Sequence, residues 1–140
     1  MPTLLETALA IALRAHRGAR DKAGNPYILH PLHLMLQMET EEAMATAVLH
    51  DVVEDSPLTL DDLAAAGIPP RVLTALTLLT REPGADYAAY VAAIAADPLA
   101  RAVKLADLAH NMDVRRLPNP LDPKDLARLE KYRRAWEILK

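Results

Sequence analysis

Four residues in the stretch VLHDVVED, positions 48 to 55, are of types that can do chemistry together: His50, Asp51, Glu54 and Asp55. They stand among Val48, Leu49, Val52 and Val53, so this turn cannot face water all round. On a helix, residues three and four apart share a face, which aligns His50 with Glu54 and Asp51 with both Glu54 and Asp55. Three carboxylates in a partly apolar setting repel one another and lose hydration. A divalent cation relieves both penalties. Helix capping does not account for them, because negative charge near a helix C-terminus opposes the macrodipole. The plainer alternative is a solvated acidic helix end.

Two adjacent residues do not complete a coordination shell. His30, just before Pro31, falls at a loop-to-helix junction, where a side chain can be aimed. Asp107 interrupts the aliphatic run VKLADLAHNM, with Lys104 at i−3 and Asn111 at i+4. An ordinary ion pair with Lys104 is the simpler account of that acid. His33 and His110 each lie three residues from one of these positions and fit either hydrogen-bonding support of a site or structural roles. His16 is read as structural. Arg81, Tyr87 and Tyr90, in TREPGADYAAY, are read as loop and core residues before phosphate or ring contacts.

The elements that must carry these residues are all helical. Thr3 with Glu6 makes a capping-box start for a first helix that fades near Gly18. Residues 18 to 30 have loop chemistry, and Pro31 suits the first position of a short helix. Thr40 caps the next helix, which carries VLHDVVED near its end until Ser56-Pro57 stops it. Thr59 with Asp62 opens another, closed by Gly67. Pro70, Asp86, Pro98 and Asp122-Pro123 mark four further starts, and LPNPLDP at 117 to 123 is a turn. Tyr132 and Trp136, at i and i+4 on the last helix, are packing residues, in the core or against a second copy of the chain, which leaves a homo-oligomer open. The expectation is an all-α fold, one domain spanning 1 to 140, as a bundle of about seven or eight helices.

Composition agrees. The chain has 140 residues, 51% of them hydrophobic, with no Phe, one Trp and four glycines, so Leu, Ala, Val, Ile and Met must build the core. A net charge of −3 argues against DNA, RNA or a membrane surface as partner. With no cysteine, no apolar stretch long enough to span a bilayer and no signal-peptide pattern, a cytoplasmic protein is expected.

PYILHP, VLHDVVED and VKLADLAHNM, in this order and spacing, resemble the HD-domain metal-dependent phosphohydrolases. More narrowly, they resemble the hydrolase domain of the RelA/SpoT family and its small stand-alone relatives, over about Leu4 to Leu117. The chain is too short to hold that family's synthetase or regulatory domains as well. Carried over position by position, the resemblance implies His30, His50, Asp51 and Asp107 as metal ligands. It implies Glu54 and Asp55 as the acidic pair that orients and activates the attacking water. Asn111 matches a substrate contact, and Arg20, Lys22 and Lys104 supply cations for a polyanion. Two imidazoles and two carboxylates suit Mn²⁺, with Zn²⁺, Fe²⁺ or Ni²⁺ as competitors.

The implied reaction is release of pyrophosphate from the 3′ position of a ppGpp-like nucleotide by an activated water. Two positions depart from the family pattern. Asp21 interrupts the basic run, and Leu108 stands where a basic residue usually follows the metal-binding aspartate. They leave open another phosphorylated nucleotide or phosphoester as substrate. A module that binds metal or nucleotide without catalysis is the remaining alternative.

Overall fold

The computed structural model describes residues Met1–Lys140 as an all-α bundle. Helix α1 (Leu4–Ala15) starts on the expected capping box, in which Thr3 accepts from the Glu6 N–H and Glu6 accepts from the Thr3 N–H. Helices α2 (Leu29–Leu36), α3 (Glu41–Leu49), α4 (Val52–Asp55), α5 (Leu60–Ala65), α6 (Pro70–Leu79), α7 (Tyr87–Ala95), α8 (Pro98–Asn111) and α9 (Pro123–Leu139) follow. A 3-10 turn, Val114–Arg116, was not foreseen; it precedes α9. Thr40, Thr59, Asp86 and Asp122 cap α3, α5, α7 and α9 with their side chains, as expected. Gly67 ends α5 at φ +99°, a left-handed geometry that L side chains avoid.

Two expectations are corrected. Pro31 is the third residue of α2, not the first, because the chain is already winding when it arrives: the Leu29 and His30 N–H groups bond to the Pro26 and Tyr27 carbonyls. Pro31 lacks an N–H, which in a first turn is no loss. More important for the site, VLHDVVED does not lie on one helix. The path breaks at His50-Asp51, where Asp51 adopts φ −122° and ψ 11°, and α4 restarts with the Asp55 N–H on the Asp51 carbonyl.

Helix α3 is the centre of the bundle, and Ala43 and every residue from Ala45 to Leu49 are buried. On one side Ala45, Val48 and Leu49 pack with Ala8, Ile11 and Ala12 of α1, Val52 of α4, Leu63 of α5 and Val72 and Leu76 of α6. On the other, Ala47 packs with Leu34 of α2, Leu79 of α6, Val91 and Ile94 of α7, Val103 and Leu108 of α8, and Leu139 of α9. Each fully buried Leu, Ile or Val contributes roughly 1.5–3 kcal/mol. Tyr132 and Trp136 pack against this second cluster of their own chain. No helix is long and apolar enough to cross a membrane.

Candidate metal centre

The break between α3 and α4 places the site. Consecutive residues of an unbroken helix point about 100° apart, but with Asp51 out of the helical conformation both His50 and Asp51 turn inward, 8% and 7% exposed. His30 arrives from the first turn of α2 and Asp107 from the middle of α8, and both are buried. His30 Nε2 lies 2.9 Å from Asp107 Oδ1, and His50 Nε2 lies 3.5 Å from the same oxygen and 3.6 Å from Asp51 Oδ2. His30, His50 and Asp107 thus offer donor atoms close enough to hold one metal ion, with Asp51 beside them.

The outer faces of both imidazoles are occupied. His50 Nδ1–H donates to the Ala47 carbonyl at 2.8 Å, which leaves Nε2 toward the pocket. His30 Nδ1 pairs at 2.7 Å with Nδ1 of His110, whose ring stacks on His30 and, at 3.9 Å between centroids, on His33. Burial, with the Arg116, His30 and His33 charges, pushes His110 down to about 4, so it meets His30 as a neutral ring.

Buried charge here is dense and paired. Asp107 accepts from Lys104 Nζ at 3.0 Å on Oδ2 and from Asn111 Nδ2 at 3.0 Å on Oδ1. Burial alone would raise Asp107, but Lys104, His30 and His50 hold it well below the usual carboxylate range. Burial likewise opposes the charged form of His50, yet Asp51 and Asp107 outweigh it and raise the imidazole to about 9. Asp51 is held low against burial by His50, His16 and Tyr27. Protonated His50 thereby occupies the place of positive charge that a cation would take.

The expected site residues separate into those that meet at the pocket and those beside it. His30, His50, Asp51, Glu54, Asp55, Lys104, Asp107 and Asn111 all line one cavity of about 170 Å³. Glu54 and Asp55 are exposed at its rim, and Glu54 accepts from the Arg81 N–H at 2.5 Å. Burial and the Asp51 and Glu54 charges raise the Asp55 carboxyl, which makes it a better proton acceptor. Tyr90 is turned away from any ligand at its hydroxyl, which donates to the Leu79 carbonyl at 2.7 Å, though its ring lines the cavity.

Arg20 and Lys22 lie in a second cavity of about 250 Å³, which shares Tyr27 and Asn111 with the first. Arg116 and Arg128 add two cations there that the sequence reading did not single out. Asp21 lines the same cavity, but Oδ1 accepts from the Ala23 and Asn25 N–H groups at 3.0 and 2.9 Å, so it ties the loop that holds its basic neighbours. Leu108 is fully buried in the core, away from the site.

Two further site residues emerge only in three dimensions. Tyr27, in the PYILHP motif, donates its hydroxyl to Asp51 Oδ2, and burial beside Asp51 raises the phenol so that it stays a donor. His16, expected to be structural, has Nε2 3.1 Å from Asp51 Oδ1. An aromatic between Pro26 and the ligand-type His30 was the one available signal for Tyr27. For His16 the signal was the Ala15-His16 pair ahead of the basic loop, which fits the family pattern and was read as structural.

Comparison with known proteins places this geometry. No family model matches the chain. The GTP pyrophosphokinase of Streptomyces coelicolor is 36% identical over 121 residues, covering 77% of this chain and 14% of that protein. The guanosine-3′,5′-bis(diphosphate) 3′-pyrophosphohydrolase of Haemophilus influenzae is 34% identical over 116 residues, covering 73% of this chain and 17% of that one. The chain thus spans about a sixth of the length of these curated relatives. A solved structure, described as a metazoan orthologue of SpoT that hydrolyses ppGpp, superposes with a TM-score of 0.81 at 20% identity, covering 99% of this chain and 86% of that one. In sequence and in fold, the chain resembles the HD-type hydrolase domain of the RelA/SpoT family.

Proposed function

We propose that residues 1 to 140 act as one HD-type domain, a cytoplasmic metal-dependent phosphohydrolase of a small phosphorylated nucleotide, with a ppGpp-like 3′-pyrophosphate as the leading substrate. One observation carries the reading: His30, His50, Asp51 and Asp107, from separate stretches of the chain, converge in a pocket that adjoins a cavity where Arg20, Lys22, Arg116 and Arg128 outnumber the carboxylates of Asp21 and Asp125. The donor set fits a divalent cation, and two imidazoles with two carboxylates suit Mn²⁺, with Zn²⁺, Fe²⁺ or Ni²⁺ as competitors. When bound, such an ion polarises a phosphate and lowers the pKa of a water beside it.

The chain's own residues supply the rest. His50 and His30 present Nε2, with their outer nitrogens held by Ala47 and His110. Tyr27 fixes the Asp51 carboxylate. Of Glu54 and Asp55, at the rim, one takes a proton from a water whose oxygen bonds to phosphorus; the bond from that phosphorus to the nucleoside 3′-oxygen breaks, that oxygen takes up a proton to become a hydroxyl, and pyrophosphate leaves. Lys104 and Asn111 hold Asp107 and border the path of the substrate, and Arg20, Lys22, Arg116 and Arg128 offer charge to its other phosphates.

A different phosphorylated nucleotide is the second reading. Position 108 gives the pocket no cation where the family usually has a basic residue, which supports a substrate other than ppGpp. Metal-stripped protein supplied with Mn²⁺ and ppGpp tests both. Pyrophosphate release that disappears in Asp51→Asn supports the leading reading. No release, with Mn²⁺ still bound, moves the substrate elsewhere; no Mn²⁺ binding overturns the metal site.

A further inference from the structure

Asn111 lines both the metal pocket and the adjoining basic cavity, so the way its amide faces bears on both. Nδ2 donates to Asp107 Oδ1 at 3.0 Å, in the metal pocket. On the other side Oδ1 accepts from Arg116 Nη1 at 3.4 Å, a long bond. An ionised carboxylate can only accept, and a guanidinium can only donate. One orientation of the amide therefore satisfies both neighbours, with its nitrogen toward Asp107 and its oxygen toward Arg116. One N–H of Nδ2 is left over for a ligand.

Arg116 is fixed at two further points. Nη1 also donates to the His110 carbonyl at 2.9 Å, so the 3-10 turn folds back and sets a cation on the C-terminal end of α8, where the helix dipole favours one. Nη2 lies 4.0 Å from Asp21 Oδ2, in the loop between α1 and α2, and the two side chains are only 23% and 16% exposed. Asp21 is in turn held by the Ala23 and Asn25 N–H groups on Oδ1. We propose that Arg116 is a positioning residue: backed by Asp21, it holds the Asn111 amide so that the amide offers the substrate a donor. The proposal rests on the function given above, in which Asn111 meets the substrate.

The consequence is chemical. Phosphate and ester oxygens only accept, so they suit a free N–H and are repelled by an amide oxygen. Held by Asp107 alone, Asn111 would keep one hydrogen bond and swing about it, and a contact misplaced beside reacting atoms costs rate. The arrangement also gives Asp21 a place in the site. An acid among phosphate-binding cations draws part of the Arg116 charge to itself, which keeps that guanidinium on Asn111 and off the phosphates. Asp21, Arg116, Asn111 and Asp107 thus form one chain of contacts from the α1–α2 loop to the metal pocket.

The test reads the amide itself. The chain has three asparagines and one glutamine, so a ¹H–¹⁵N spectrum of the full metal-stripped chain holds four side-chain NH₂ pairs, and Asn111→Ala identifies one by its loss. Arg116→Met keeps the stem and removes the guanidinium. The Asn111 pair should then move and exchange faster with solvent, while the Gln37 pair stays in place and reports an intact fold. Asp21→Ser, which leaves an oxygen for the loop N–H groups, should move the same pair the same way by a smaller amount. With Mn²⁺ and ppGpp, Arg116→Met should lower kcat/KM about 10-fold, the worth of a hydrogen bond to a charged group, but less than about twofold in the Asn111→Ala background. An Asn111 pair that ignores Arg116→Met overturns the proposal. So does an undiminished loss in the Asn111→Ala background, which would make Arg116 a direct phosphate contact. An unmoved pair in Asp21→Ser overturns the part given to Asp21. A parent chain that turns over no ppGpp overturns the substrate reading alone, because the amide pair, read without substrate, still decides this one.

Discussion

Replacing Lys104 with Met asks whether Asp107 is held in place by charge. Nζ lies 3.0 Å from Asp107 Oδ2, and the two side chains are 13% and 8% exposed. Methionine keeps much of the apolar stem beside Tyr90 and removes only the ammonium. Breaking a buried pair by removing one partner costs about 3–5 kcal/mol, because the other charge stays buried. His30, His50 and Asn111 still contact Asp107, which puts the expected loss at the low end, about 3 kcal/mol. For a chain of this length that is a fall of about 10 °C in Tm. The loss should appear in chelator and shrink to about 1 kcal/mol, the worth of one ordinary hydrogen bond, in saturating Mn²⁺, where the ion replaces the missing charge. Circular-dichroism melts of the four members of a Lys104→Met, Asp107→Asn cycle, with and without Mn²⁺, measure it. A variant that melts within about 2 °C of the parent in chelator would refute the reasoning. So would an equal cost of Lys104→Met in the Asp107→Asn background.

Tyr27→Phe removes the hydroxyl that Asp51 accepts; stability should fall by about 1 kcal/mol in urea titrations, and Mn²⁺ affinity by about 10-fold or more in calorimetry. His50 is raised from 6.5 to about 9 in the metal-free chain, so the stability it contributes is fully present below pH 6.5 and is lost as pH rises through about 9. Chelated protein should therefore unfold more readily at pH 9.5 than at pH 6.5. Because the ion must displace that proton, Mn²⁺ binding at pH 7 should release close to one proton from His50, read from calorimetry in buffers of different ionisation enthalpy. Gly67→Ala forces an L side chain to φ +99° with no contact to clash against, so it should cost only the conformational term, about 1–2 kcal/mol, in thermal melts.

Local chemistry made much of the fold legible. Thr3, Thr59 and Asp122 announce their helices because each is followed three residues on by an acid that completes a capping box. The break at Asp51 was not legible, since VLHDVVED has no Gly or Pro and reads as continuous helix; tertiary packing of Val52 and of the two ligand-type residues overrides that local preference. The juxtaposition of His30, His50, Asp51 and Asp107 was legible through motif resemblance, because residue types and order survive when geometry is hidden. Asp21 was hard to place for the converse reason: its charge could be read from the sequence, but not its setting, with Oδ1 on the Ala23 and Asn25 N–H groups and Oδ2 4.0 Å from Arg116 in the cavity. Leu108 shows the same limit, as helix phase turns it into the core one step from Asp107. Arg116 and Arg128 reach their cavity through the turn before α9 and the first half of that helix, a docking that no spacing in the sequence encodes.

The donors of the pocket are far apart along the chain, with about 20 residues from His30 to His50 and about 56 from Asp51 to Asp107. In a disordered chain, closing either loop around an ion would forfeit on the order of 3 kcal/mol of chain entropy. Packing of α2, α3 and α8 has already closed both, so an ion bound there would meet an assembled cage and act as a removable cross-link between distant segments. Ion retention then reports on tertiary assembly: a chain severed between α6 and α8 would keep three of the four donors on its first fragment, yet release the ion as soon as α8 drifts away.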